Sequence, residues 1–75
     1  KESIEICEIK SFSGERETKS IENIGGTRHQ SAARFVNENQ EAMAIVVSQD
    51  GHISIFVWDN VHGVCAYKNL EYTLL

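Results

Sequence analysis

The chain contains no proline, one Met, one Trp and only two cysteines among its 75 residues. Cys7 and Cys65 stand far apart and form no C-x-x-C pair. No secretory signal pattern opens the sequence, so two unclustered cysteines point to free thiols in a reducing, cytoplasmic compartment. No apolar run approaches the roughly 18–20 residues of a membrane span. Low-complexity tracts and internal repeats are absent, which excludes repeat architectures. Positive charge is in the minority: 7 Lys and Arg stand against 11 Asp and Glu, a net charge of −4. That balance argues against non-specific binding to nucleic acid or to a membrane surface. A small anionic ligand needs only local positive potential and is not excluded.

What is present is ordinary for a globular domain: 41% hydrophobic and 24% charged residues. Seventy-five residues are enough for one small domain, 1–75, with a modest core. The sequence opens inside a strand-like stretch without an initiator Met, and the expectation is a piece of a larger protein. Residues 3–12 read as a strand, with Ile4 and Ile6 on one face and Cys7 and Ile9 on the other. That pattern fits a bulge or a strand buried on both faces. Residues 13–24 are polar and read as a surface loop, with one helical turn ending at Ile24. Residues 28–38 read as a helix burying Ala32, Phe35 and Val36 and exposing Arg34, Asn37 and Glu38. Ala42–Val47 is an unbroken apolar run and reads as a central strand covered on both sides. Gln49-Asp50-Gly51 is a turn. It leads into a strand at His52–Trp58, where Ile53, Ile55 and Val57 alternate with Ser54, Phe56 and Trp58. Asp59–Gly63 is a second turn and Val64–Tyr67 another strand, while Asn69–Leu75 fits a short helix or an edge strand. The fold expected is α/β (α+β), a small mixed β-sheet with one main helix in the order β-loop-α-β-β-β.

The stretch Gly25-Gly26-Thr27-Arg28-His29-Gln30-Ser31-Ala32-Ala33 carries the chemistry. Two glycines make a turn in which backbone can approach a ligand closely, and Gly26 is the one expected to need its freedom. Thr27 reads as the helix N-cap, with Gln30 three residues later turning back to it in a capping box. Unpaired backbone N–H groups, the positive end of the helix dipole and the Arg28 guanidinium together suit an anion, most often a phosphate. The same residues also describe a well-capped surface helix, and His29 shares a face with Ala32, Ala33 and Val36, as a packed histidine would.

Chain direction brings a second segment to this place. The first strand runs up, the helix down and the Ala42–Val47 strand up again, so Thr27-Arg28-His29 and Ser48-Gln49 lie on one rim. There the N–H groups of Gly26 and Thr27, the Thr27 hydroxyl, the Arg28 fork, His29 and the Ser48 hydroxyl can hold phosphate oxygens.

Gly26-Thr27-Arg28-His29 followed by Ser31-Ala32-Ala33 resembles the phosphate-binding segment of the diadenylate cyclase domain, which joins two ATP into cyclic di-AMP. In that family a hydrophobic strand ending Val-Ser-Glu or Val-Ser-Gln follows the helix. Here Val46-Val47-Ser48-Gln49 stands in that place, and a turn and Ile53-Ser54-Ile55 come next. The resemblance spans residues 24–58. It implies a nucleotide site of ATP or cyclic di-AMP type in which Thr27, Arg28, His29 and Ser48 contact phosphates, with Gly26 and Gln49 beside them. Two departures stand out. The family's phosphate motif is Arg-His-Arg, and its second arginine is Gln30 here. The family's Asp-Gly-Ala, whose Asp binds the catalytic metal, is absent; the only Asp-Gly is Asp50-Gly51. Mg or Mn would accompany the nucleotide, but the ligand Asp is not in this chain, and these 75 residues are not expected to cyclise ATP alone. A non-catalytic nucleotide sensor, or part of a divergent cyclase, fits both departures. Further partners implied are a second copy or the remainder of a larger chain, with no nucleic acid and no membrane.

Other chemistry is less well supported by the residues. His29, His52 and His62 with Cys7 and Cys65 match no zinc finger or ribbon spacing. A Cys65–His62 nucleophile pair lacks a recognisable orienting acid. The competing reading from another class is a structural or protein-interaction module that keeps the sheet without a ligand.

Overall fold

The computed structural model describes residues 4–10, 15–49 and 51–71. Its elements are β1 (Glu5–Lys10), β2 (Arg16–Ser20), a 3-10 turn (Ile21–Asn23), α1 (Thr27–Glu38), β3 (Met43–Val47), β4 (His52–Asp59) and β5 (Gly63–Glu71). The strands form one five-stranded sheet in the order β2-β1-β5-β4-β3. Every neighbouring pair is antiparallel except β1 with β5, so β1, β5 and β3 all run the same way. The chain is thus an α+β domain with a mixed sheet and one main helix.

α1 packs on β3, β4 and β5. Its buried residues are Ala33 and Val36, which lie with Ile6, Ile21, Ile24, Val46, Phe56, Val64 and Ala66 in the main core. Strand alternation supplies the sheet's share: Ile6, Val64, Ala66, Phe56 and Val46 all point to the helix side, as a period of two requires. Ile4, Ala32, Ala44 and Trp58 close its margins. On the opposite face Cys7, Ile9 and Cys65 form a smaller buried cluster with Val57 against it. β1 is therefore buried on both faces, and no bulge is needed to explain its pattern.

The hairpin expected between β3 and β4 is present. Gly51 has φ of 86°, and the ladder runs from Met43 opposite Val57 to Val47 opposite Ile53, so Ala44–Val47 pairs with Ile53–Phe56. Asp50 itself lies outside the described residues. A register shift between Ile53 and Ile55 places Leu70 and Tyr67 opposite them, one residue too many in β5, which is a β-bulge.

Several expectations are corrected. The loop expected at residues 13–24 contains strand β2 over Arg16–Ser20, followed by the 3-10 turn at Ile21–Asn23. β2 is an edge strand whose polar residues are held by backbone pairing to β1 and by Lys19 Nζ at 2.7 Å from Glu8 Oε1, not by an apolar face. The Met43–Val47 strand is not central. It is the opposite edge, and its outward residues Met43, Ile45 and Val47 are exposed, so only one of its faces is covered. Phe35 is exposed, and Ala33 takes its place in the buried stripe, because the helix is rotated to seat Ala33 and Val36 on the sheet. Residues 69–71 belong to β5, which is an interior strand; the rest of the 69–75 stretch lies outside the described residues.

Candidate functional site

Four residues, Asn39–Ala42, reverse the chain between the end of α1 and the start of β3. A reversal that short makes the helix antiparallel to the strand, so the start of α1 returns to the end of β3. An open depression of about 490 Å³ lies there, lined by Gly26, Thr27, Arg28 and His29 on one side and Val46, Val47, Ser48 and Gln49 on the other. The four residues singled out for phosphate contact, and Gly26 and Gln49 beside them, therefore border one depression.

The helix begins one residue earlier than the sequence reading placed it. Gly26 is the N-cap, with φ of −78° and ψ of −168° and no side-chain cap, and Thr27 is already helical. The first intrahelical bond runs from Gln30 N–H to the Gly26 carbonyl at 3.0 Å, which leaves the first-turn N–H groups without helical acceptors. The expected capping box is absent. The Gln30 amide donates to the Gly25 carbonyl at 3.2 Å instead of reaching the Thr27 N–H. Gln30 thus closes the turn ahead of the helix and does not face the depression.

The demanding glycine is Gly25. Gly26 has an ordinary extended conformation, and a Cβ there would meet nothing within 4 Å. Gly25 has φ of +145°, and a Cβ would lie 3.0 Å from the His29 ring. Its missing side chain makes room for that imidazole. His29 is half-buried, with Nε2 at 3.2 Å from Ser54 Oγ and its ring edge-on to Phe56 at 6.0 Å and 68°. It is a packed histidine that also borders the depression, and its Ser54 contact fixes its orientation. Ser54 is buried on the helix side of β4. The only sequence signal for it is a polar residue in phase with Phe56 and Trp58.

Arg28 is exposed at the rim, and among the described residues no carboxylate pairs with it. The first turn of α1 holds no acidic residue. The described lining consequently has one full positive charge, a helix dipole of the same sign and no opposing carboxylate, as anion binding requires. The Ser48 oxygen accepts the His52 N–H at 3.2 Å, and the Ser48 N–H donates to the His52 carbonyl at 2.9 Å. Its hydroxyl is held in place while its own proton stays available to a ligand oxygen. Gln49 is exposed at the turn. A hard divalent cation finds no carboxylate among these lining residues.

Both cysteines are free and buried. Burial, with Cys7 next to it, pushes the Cys65 thiol up to about 11. The orienting acid that the sequence did not reveal beside His62 is Asp59: its Oδ2 lies 3.3 Å from His62 Nδ1. No helix among the described residues is long and apolar enough to cross a membrane. Comparison with protein-family models, with curated proteins and with solved structures finds no match to this chain.

Proposed function

We propose that this chain is a nucleotide-binding domain of the diadenylate cyclase type, holding the phosphates of ATP or cyclic di-AMP at the start of α1. One observation carries the reading: Gly26–His29 and Val46–Gln49, two segments singled out by their residues, border a single depression with Arg28 free of described carboxylates. The first-turn N–H groups take phosphate oxygens along the helix axis. Arg28 supplies a two-pronged, charge-assisted contact. Ser48 donates from the opposite rim, and His29, anchored by Ser54, presents a fixed ring edge rather than a mobile one.

Gln30 in place of a second arginine and the lack of an Asp-Gly-Ala segment favour binding over cyclisation by these 75 residues. The exposed Met43, Ile45 and Val47 face of β3 supports a domain that packs against the remainder of a longer chain or a second copy. We place it in the cytoplasm, where ATP and free thiols are both found. Isothermal titration with ATP and with cyclic di-AMP, each with and without Mg²⁺ or Mn²⁺, tests the reading. Saturable binding of either nucleotide supports it. A folded protein that binds neither returns the chain to the class of interaction modules.

A further inference from the structure

At the opposite end of the sheet from the depression, β4 and β5 are joined by the turn Asn60-Val61-His62. Asp59 is the last residue of β4 and pairs with Gly63, whose φ of +80° turns the chain into β5. Cys65 follows two residues later, opposite Val57 on β4 and Cys7 on β1. Asp59, His62 and Cys65 are spaced three residues apart along the chain. The hairpin folds them together so that one ligand atom from each lies within 4.8 Å of the others.

We propose that Asp59, His62 and Cys65 form a site for a thiophilic divalent cation of the zinc class, with a fourth coordination position open to solvent. The donors decide the class. A thiolate, an imidazole and a carboxylate suit Zn²⁺ or Co²⁺, whereas Mg²⁺ and Ca²⁺ take oxygen ligands. Bonds of about 2.0–2.3 Å in a tetrahedral site put ligand atoms roughly 3.3–3.8 Å apart. Asp59 Oδ2 and His62 Nδ1 already stand at 3.3 Å. Asp59 is held for the role, because its Oδ1 accepts the Val61 N–H at 2.8 Å and leaves Oδ2 to the site. Asp59 and His62 side chains are 39% and 40% exposed, so an ion enters from solvent and meets the buried sulfur beneath.

A second observation points the same way. His62 Nδ1 faces two groups with opposite demands, Asp59 Oδ2 at 3.3 Å and Arg16 Nη1 at 3.1 Å. A proton on Nδ1 satisfies the carboxylate and opposes the guanidinium. Without that proton the guanidinium is satisfied, and two lone pairs oppose each other. A cation between Nδ1 and Oδ2 uses both lone pairs, and Arg16, exposed on the edge strand, moves to solvent.

Titration of chelator-treated protein with Co²⁺ tests the site. The expected result is one equivalent bound, with visible bands of tetrahedral cobalt and a thiolate-to-cobalt absorption in the near ultraviolet, all erased by added Zn²⁺. Zn²⁺ should also raise the Tm of the parent protein. His62→Ala lies in an exposed turn and should leave the far-ultraviolet dichroism intact while losing both the cobalt spectrum and the Tm shift. Cys65→Ser should lose the near-ultraviolet absorption, and Cys7→Ser should keep it. The site is refuted if excess Co²⁺ gives no thiolate absorption. It is equally refuted if folded His62→Ala binds as the parent does, or if Cys7→Ser, not Cys65→Ser, abolishes the absorption.

Discussion

Gly25→Ala is the sharpest probe of how the helix start is built. The native φ of +145° is open to glycine and strained for alanine. The added Cβ would also stand 3.0 Å from His29 Cγ, 3.2 Å from His29 Cβ and 3.2 Å from Nδ1, so the imidazole has to move. Backbone strain at such a position costs about 1–3 kcal/mol. Displacing His29 forfeits its contact with Ser54, worth about 1 kcal/mol, and weakens its edge contact with Phe56, worth about 0.5–1.5 kcal/mol. These terms overlap, and a loss of roughly 2–4 kcal/mol is expected. In a domain of this size each kcal/mol moves the Tm by about 4–8 °C, so a fall of roughly 10–25 °C should appear in a thermal melt followed by dichroism. Gly26→Ala is the matched control: its conformation is ordinary and nothing lies within 4 Å of the new Cβ. As the helix N-cap it gives up only glycine's preference over alanine at that position, and the loss should stay at or below about 1 kcal/mol. Equal melting of Gly25→Ala and the parent, or a larger loss at Gly26, would refute the assignment.

Ser54→Ala leaves the half-buried His29 Nε2 without this partner and should cost about 1 kcal/mol in urea denaturation; no change would mean that Ser54 does not hold the ring. Gln30→Arg adds a cation next to the candidate phosphate site and removes the hydrogen bond that the Gln30 amide donates to the Gly25 carbonyl. It should tighten ATP binding in calorimetry while lowering stability by up to about 1 kcal/mol, and weaker ATP binding would count against the site. Lys19, hydrogen-bonded to Glu8, has its pKa raised above the ordinary 10.5. A pKa raised on folding stabilises the protein below the unfolded value and gives that share up as pH climbs through the folded one. Stability should therefore fall above about pH 10.5, and Lys19→Met should flatten that part of the urea-midpoint profile. An unchanged alkaline slope would remove the pair from the account.

The parts of the fold legible in the sequence were those with a local signature. The α1 periodicity, the Asp-Gly turn and the alternation of β4 each follow from backbone period or turn chemistry. β2 left no such mark, because Arg16-Glu17-Thr18-Lys19-Ser20 carries no apolar alternation and its strand state comes from pairing with β1. The apolar run of β3 shows composition but not position, and a strand at the edge with one bare face reads the same as one in the middle. The rim was legible because a helix, a short loop and a strand leave the chain no other return. Gly25 and Gly26 look alike in sequence, and only the folded backbone and the His29 ring tell them apart. The Asp59, His62 and Cys65 grouping stayed hidden because its spacing matches no metal motif until the hairpin folds.

The central claim is that Arg28 and the start of α1 hold nucleotide phosphates, and calorimetric titration of parent and Arg28→Ala with ATP tests it most directly. Arg28 lies on an exposed rim, so its removal should leave the fold intact. A charge-assisted guanidinium–phosphate contact contributes about 1.5–3 kcal/mol, and its loss should weaken ATP binding roughly 10–100-fold. An Arg28→Ala protein that binds ATP as tightly as the parent would contradict the account.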